Sequence, residues 1–291
     1  MLNVNLILRT NFNLFIMTIL DGKKTSGDIK NEISISVKER RSKGLKIPHL
    51  AAVIVGSDGA SMTYVNSKVK SCQAVGFNST LIDLPEDTTE EQLLHEIEDL
   101  NSDKDIDGFI VQLPLPPQID EQKVLMAVDP DKDVDGFHPV NVGKMTLDLP
   151  SFISATPYGI LELLERYQIE TSGKNVVIIG RSHIVGRPMS ILLSQKRKVG
   201  NATVTLTHSR TQNLAEITKS ADIVIAALGM AEFLTGDMVK EGCTVIDVGI
   251  TRVADASKKR GYRLAGDVHF DSVSKKAEFI TPVPGGVGPM T

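Results

Sequence analysis

Short apolar runs recur along this chain, separated by longer stretches with apolar residues at helical spacing. Seven runs have strand length: residues 49–56, 78–84, 107–113, 175–180, 202–207, 222–229 and 243–250. Several are nearly continuous in Val, Ile and Ala, as in "LAAVIVG" and "ADIVIAALG". Such a strand is apolar on both faces, so both faces must be covered, which is the condition of a parallel sheet between helices. Helical patterns fill the gaps. In "TTEEQLLHEI" the spacing predicts a helix with Thr88 and Glu91 as a capping box. Residues 63–72, "TYVNSKVKSC", follow the first run and a polar turn, and they predict a helix carrying Tyr64 and Lys68 on one face. By itself such a pair is more often a solvated face than a site.

The pattern breaks near residues 150–157, where "LDLPSFISATPYG" carries two prolines. Thr156 and Pro157 predict a new helix over about 157–168, with Thr as N-cap and Pro at its first position. A second strand–helix unit begins at Asn175. The expected fold class is therefore α/β in two domains. The last stretch, "FITPVPGGVGPMT", is too rich in Pro and Gly for a regular helix. Its Phe279, Ile280, Val283 and Val287 favour rigid backbone beside a ligand over a frayed tail.

Composition narrows the class. The chain has 291 residues, enough for two domains, with 41% hydrophobic and 23% charged residues, as in ordinary soluble proteins. A net charge of −4 gives no basic footprint for nucleic acid. Two cysteines, Cys72 and Cys243, form neither a disulfide framework nor a zinc pattern, and a reducing cytoplasm fits. There is no apolar run of about 18 residues to span a membrane. The first 16 residues are interrupted by Asn and Arg and lack a basic start, an apolar core and a cleavage site. They are expected to be an extension without a catalytic part, running to residue 17.

"NVVIIGRSHIVGRPMSILL" reads as strand, glycine turn and helix. Gly180 ends the strand, and Gly186 and Pro188 open the helix, an arrangement suited to an anion held by backbone N–H groups. Ser182 stands where a full dinucleotide fingerprint has its second glycine. The next strand ends in "THSRT", without the acid that an NAD enzyme keeps for the ribose hydroxyls. Ser209 and Arg210 there favour a 2′-phosphate, hence NADP. Two further strands finish in Gly229 and Gly249, where backbone can approach a ligand or simply turn.

The first half carries its own polar groups at strand ends. Gln112 sits inside the apolar run "DGFIVQLPLPP" and needs partners if buried. "DPDKDVDGFHPVNVGKM" gathers Asp131, Asp133 and Asp135. A turn with Asx caps explains that cluster, a single Asp aimed at a polar ligand explains it too, and the loop is too short for an EF-hand. No metal is expected.

Seven stretches together carry a resemblance: "YVNSKVKSCQAVGF", "GFIVQLPLP", "DKDVDGFHPVNVGK", "TPYGILELL", "VVIIGRSHIVGRPMS", "GDVHF" and "ITPVPGGVGPMT". In these the sequence resembles the bifunctional methylenetetrahydrofolate dehydrogenase/methenyltetrahydrofolate cyclohydrolase family, from about residue 18 to the end. The resemblance implies an N-terminal catalytic, folate-binding domain at 18–156 completed by 276–291, and a Rossmann-like NADP-binding domain at 157–275. It implies Lys68 as catalytic lysine, with Tyr64, Gln112 and Asp135 around the folate. It implies nucleotide contacts at Gly180, Arg181, Ser182, Ser209 and Ile250, to which the reading of the residues adds Gly186, Pro188, Arg210 and Gly229, with Val185 among them. Pro284, Gly285, Gly286, Val287, Gly288 and Pro289 match a stretch lining the cleft on the substrate side. Ala155 stands where the family usually has Cys, and the chain stops at Thr291 where relatives continue into a further helix, a difference expected to weaken the first domain.

What the resemblance implies chemically is a hydride passing from methylenetetrahydrofolate to NADP, then water opening the methenyl cation to 10-formyltetrahydrofolate. The expected setting is one-carbon metabolism serving purine biosynthesis, in a cytoplasmic homodimer joined through the nucleotide domain. Lys68 suits proton exchange in the second step if burial or a nearby cation lowers its pKa. A dehydrogenase without hydrolysis and a non-catalytic nucleotide sensor are the alternatives; the presence of Tyr64, Lys68 and Gln112 counts against the first, and Lys68 with the Pro-Gly end counts against the second. Deleting residues 1–16 should leave both activities and the melting temperature nearly unchanged. A loss of several degrees would show that the segment packs on the domain.

Overall fold

The computed structural model describes residues 17–56 and 59–291, without the side chains of residues 59–61, 63 and 64. The expected extension over residues 1–16 lies outside the described residues. Two parallel sheets organise the rest. The first is built from β2 (His49–Val55), β3 (Asn78–Leu84) and β4 (Gly108–Val111), in the order β3-β2-β4. The second has six parallel strands: β1 (Thr18–Ile19), β5 (Asn175–Ile179), β6 (Thr203–Thr207), β7 (Ile223–Ala226), β8 (Thr244–Asp247) and β11 (Phe279–Ile280). Their order is β1-β11-β8-β7-β5-β6. A separate antiparallel hairpin joins β9 (Thr251–Ala254) to β10 (Tyr262–Ala265).

The continuous apolar runs are explained by burial on both faces. Along β5, Val176 and Ile178 pack with Ile160, Leu163 and Leu164 of α6 (Ala155–Arg166) and with Met189 and Leu192 of α7 (Gly186–Ser194). Val177 and Ile179, pointing the other way, pack with Ala221, Leu234 and Val273. In the first sheet, Ala51, Val53 and Val55 join Leu93 and Ile97 of α3 (Glu90–Ser102), while Ala52 and Ile54 face Val65 of α2 (Gly59–Val75).

Two expected caps shift. The capping box belongs to Thr89 and Gln92, one residue beyond the pair expected at Thr88 and Glu91. Thr89 Oγ1 accepts from the Gln92 N–H at 3.2 Å and Gln92 Oε1 accepts from the Thr89 N–H at 2.9 Å. Helix α6 starts at Ala155, so Thr156 is inside its first turn, and its hydroxyl lies 3.0 Å from that of Thr291.

Helix α1 (Gly22–Ser42) was not marked by any apolar stripe; only Gly22, Thr25, Ser26 and Val37 are buried on it. Asp21 starts it by accepting the Lys24 N–H at 2.9 Å. The chain's last residues run back against this helix. The Lys23 N–H donates to the Gly285 carbonyl at 3.0 Å, and a Cβ on Gly22 would lie 1.7 Å from the Gly286 carbonyl oxygen. A Cβ on Gly159 of α6 would lie 2.8 Å from Met290. The terminal segment is thus wedged between α1 and α6 by backbone contacts that admit no side chain.

Gly22→Ala must push the terminal segment away and should cost about 1–3 kcal/mol, read as a lowered melting temperature. Gly27→Ala on the same helix, where nothing lies within 4 Å of the added carbon, should instead stabilise by about 0.5–1 kcal/mol. Equal effects would show that the close approach at Gly22 carries no stability.

Candidate active site

Elements of the first sheet and the helix after β2 bring the polar side chains of Lys68 and Gln112 to one place. Lys68 stands on α2, which follows β2, and is half-buried. Tyr64 is one turn earlier on the same helix, and its side chain lies outside the described residues. Gln112 follows β4 directly, and its N–H extends the ladder to the Val53 carbonyl at 2.9 Å. Its Nε2 donates to the Leu113 carbonyl at 2.7 Å, while its Oε1 is buried with no partner among the described residues. A buried acceptor left open beside a cleft is a place for a donor from ligand, water or the neighbouring lysine.

The acidic cluster divides into separate roles. Asp133 is 5% exposed and accepts from the N–H groups of Phe137 (3.3 Å) and His138 (2.8 Å) and from Asn141 Nδ2 (2.9 Å). It thereby closes the turn before α5 (Pro139–Thr146), as an Asx cap does. Asp131 is exposed, 4.0 Å from Lys144 Nζ. Asp135, half-buried on the crest of the turn, faces the cleft. Burial raises its pKa above the ordinary carboxylate value; the positive charge of Lys68 opposes that, and Asp133 adds to it.

The cleft encloses about 390 Å³ and brings Lys68, Gln112 and Asp135 together with Val185, Ile250 and Gly288 from the other half of the molecule. Phe137, Ser154, Ile184, Val248 and Thr291 also line it. None of these five was singled out from the sequence, since a single Ser or Ile gives no signal in a chain of this composition. Ser154 bridges the halves by donating its hydroxyl to the Ile184 carbonyl at 3.1 Å. A second cavity of about 250 Å³ adjoins it, lined by Ile250, Pro284, Gly285, Gly286, Gly288 and Pro289.

The expected nucleotide residues lie along the carboxyl edge of the second sheet. Gly180, with φ +116°, has no room for a side chain: a Cβ would be 2.0 Å from the Ala227 carbonyl oxygen. Gly186 is equally pressed on the Gly180 carbonyl, at 2.0 Å. The expected anion site at the helix N-terminus changes in detail. Ser182 Oγ accepts from the N–H groups of Val185 and Gly186, at 3.1 and 3.4 Å, and its carbonyl takes the Arg187 N–H. The helix's first donors are therefore occupied, and the exposed loop 181–184 supplies the open amides among the described residues. Pro188 is the third helical residue and is buried, so it shapes the helix from within. After β6, the His208 N–H donates to Thr211 Oγ1 at 2.9 Å and the Arg210 N–H to His208 Nδ1 at 3.1 Å. That tight turn leaves Ser209 and Arg210 exposed at the end of the strand. Gly229, expected at the end of its strand, lies three residues past β7 with φ +71°. A glycine cradle, open amides and the exposed Arg181 and Arg210, without an acid, fit a phosphorylated dinucleotide.

The chain is similar to known proteins over most of its length. Residues 20–135 match the family model for the tetrahydrofolate dehydrogenase/cyclohydrolase catalytic domain, and residues 154–291 match its NAD(P)-binding domain. The chain is 68% identical over 275 residues to the bifunctional protein FolD of Flavobacterium johnsoniae, covering 94% of this chain and 93% of that one. Among solved structures, a FolD methylenetetrahydrofolate dehydrogenase/cyclohydrolase from Campylobacter jejuni superposes with a TM-score of 0.88 at 46% identity, covering 94% of both chains. The Trypanosoma brucei enzyme, complexed with NADP and an inhibitor, gives 0.87 at 40% identity, over 94% of this chain and 93% of that one.

The exposed turn at Ser209 and Arg210 generates a binding prediction. NADP should bind at least about tenfold more tightly than NAD, or roughly 1.4 kcal/mol, by calorimetric titration. Arg210→Ala should narrow the ratio; an unchanged ratio would move the 2′-phosphate to Arg181 or Ser209.

Proposed function

The chain belongs to the tetrahydrofolate dehydrogenase/cyclohydrolase family, and we propose how its own residues divide the work. It is a bifunctional enzyme of one-carbon folate chemistry. It oxidises 5,10-methylenetetrahydrofolate with NADP and hydrolyses the methenyl product to 10-formyltetrahydrofolate. The observation that carries the proposal is the convergence of Lys68, Gln112 and Asp135, from three separate elements, on a cleft whose opposite wall is Ile250 and Gly288.

NADP, when bound, accepts the hydride. Gly180, Arg181, Ser182, Gly186, Ser209 and Arg210 would hold it along the edge of the second sheet, with Val185 and Ile250 at the cleft and Gly229 near its floor. Hydride transfer asks for alignment of two ring faces, and residues 284–289 form the rigid backbone that limits where those rings lie. Asp135 accepts from the paired N–H donors of the pterin ring, for which a carboxylate edge is the complement. Binding there places donors beside the carboxylate and so favours its charged form against the burial that disfavours it. Lys68 exchanges protons around the attacking water in the hydrolytic step. The open Oε1 of Gln112 holds the lysine amine or that water in register, and Tyr64 positions the lysine or packs on the folate.

The halves at 18–156 with 276–291, and at 157–275, are a proposed division of labour rather than of sheets, since β1 and β11 both lie in the larger sheet. We carry over as further parts of this reading a homodimer joined through the nucleotide half, a cytoplasmic setting and a product used in purine biosynthesis. Sedimentation at micromolar concentration tests the dimer directly.

Lys68→Met keeps the apolar stem and removes the amine. It should abolish detectable hydrolysis, a loss of about a hundredfold to ten-thousandfold, and lower the dehydrogenase less. Tyr64→Phe should be milder in both assays. Hydrolysis at the wild-type rate in Lys68→Met would remove the lysine from the chemistry. Equal loss of both activities with NADP still bound would make it a substrate-holding group instead.

A further inference from the structure

Two buried carboxyl groups lie under the nucleotide side of the cleft, and the roles assigned above use neither. Asp247 ends β8 and is 3% exposed; Asp267 lies between β10 and α9 (Phe270–Val273) and is 0% exposed. No ion pair to a lysine, arginine or histidine reaches either among the described residues. Their partners are the backbone amides of strand ends. Asp267 Oδ2 accepts from the N–H groups of Leu228 (2.7 Å) and Gly229 (3.0 Å), just past β7. Asp247 Oδ1 accepts from Gly249 (3.0 Å) and from Asp267 itself (2.8 Å), and its Oδ2 accepts from Val268 (3.0 Å). The Asp247 N–H donates to Thr281 Oγ1 at 2.7 Å, where the terminal segment begins. Glycine makes room for both groups. A Cβ on Gly249 would lie 2.3 Å from Asp267 Oδ1, and one on Gly266 would lie 1.8 Å from Asp247 Oδ2.

These contacts tie together the ends of β7, β8 and β11, whose loops carry Gly229, Gly249 and Ile250 and lead into the segment 282–289. We propose that the Asp247–Asp267 pair is a positioning device for NADP, fixing the strand-end peptides of Gly229 and Gly249 beneath the cofactor and linking its affinity to pH. The proposal rests on reading the cleft edge as the NADP site.

The charge balance follows from the surroundings. Asp267 Oδ1 is buried without a partner among the described residues. The segments from β7, β8 and 281–284 bring backbone, Leu228, Thr281 and Val283, with no charge. The other titratable groups on the adjoining segments are His269, bonded through Nδ1 to Ser272 Oγ at 2.8 Å, and the Glu232–Arg263 pair at 3.0 Å, which belongs to the flanking loop and β10. Burial, with a smaller contribution from Asp267, pushes the Asp247 pKa up to about 7 against the pull of its amide donors. Above that pH Asp247 ionises in a medium of low polarity, and a negative charge is added beneath a polyanionic ligand. The sign is therefore a nucleotide affinity that weakens as pH rises through about 7.

Asp267→Asn is the discriminating variant. Its amide oxygen can take the Leu228 and Gly229 N–H groups, and its amide nitrogen replaces the oxygen that has no partner. In the wild-type enzyme KM for NADP should rise about fivefold or more from pH 6 to 8.5, while in Asp267→Asn, which removes the repulsion and leaves the burial, the rise should move to lower pH. The nucleotide's own phosphates titrate alike in both proteins, so the difference between the two curves reports the pair. Asp267→Ala leaves the two amides unpaired and should raise KM for NADP about tenfold at pH 6, with kcat changed less and methenyltetrahydrofolate hydrolysis, which uses no nucleotide, within about threefold. Superimposable pH curves for wild type and Asp267→Asn overturn the proposal. So does Asp267→Ala losing both activities and melting temperature in step, which marks a purely structural role. If Asp267→Ala fails to fold, the Asn curve decides. A wild-type enzyme without NADP-dependent oxidation would instead overturn the reading of the site.

Discussion

The close approach of backbone to backbone at the end of the chain holds this molecule's cleft together. The segment after β11 passes between α1 and α6 at distances that leave no space for a Cβ on Gly22 and little on Gly159. It then presents Val287 and Gly288 to the same cavity as Lys68 and Asp135. A contact made of peptide groups has no rotamers to lose and little slack. The wall of the cleft opposite the polar side chains is therefore set by main chain, and its position is shared with the strand order of the larger sheet through β1 and β11.

That arrangement suits two reactions that ask different things of the protein. Hydride transfer is governed by the distance and facing of two rings, which rigid backbone supplies. Hydrolysis needs a group that exchanges protons, which backbone cannot supply; the candidate side chains, Lys68 on α2, Gln112 after β4 and Asp135 before α5, line the cleft on the first sheet's side. Parallel strands make the division possible, because the carboxyl ends of a parallel sheet lie along one edge and ligands collect there. Here two such edges face each other.

How much of this was legible in the sequence depended on whether a residue's reason is local. The seven strands were readable because burial on both faces leaves unbroken apolar runs; each observed strand falls within its expected range. Strands β1 and β11 have two residues each, and only distant partners make them strands, so no window of sequence shows them. The hairpin β9–β10 was missed because Arg252, Lys258, Lys259, Arg260 and Arg263 in and around it blur any alternation. Helix α1 was missed because it buries little besides glycine, hydroxyls and Val37, and its docking is by main chain. The candidate site was legible as a set of motifs, and the resemblance supplied their roles. What the motifs concealed was the traffic between them: Asp133 serving the turn that carries Asp135, and Ser182 filling a helix end expected to be open.

The substitution of Ser182 for a glycine has a physical consequence for how the nucleotide edge works. A glycine there would leave the first amides of α7 free for an anion, with the helix dipole behind them. Ser182 consumes the Val185 and Gly186 amides and fixes the loop it belongs to, so the exposed amides of 181–184 are held in a defined shape before any ligand arrives. Direct helix-end attraction is exchanged for preorganisation, which lowers the ordering cost of binding. Ionic attraction must then come from side chains. On the proposed reading the exposed arginines at 181 and 210, which follow the neighbouring strands β5 and β6, would supply it. On that reading, a loop preshaped by serine and flanked by arginines would favour the ligand with the additional phosphate, because the charge that distinguishes it would meet guanidinium groups rather than a carboxylate.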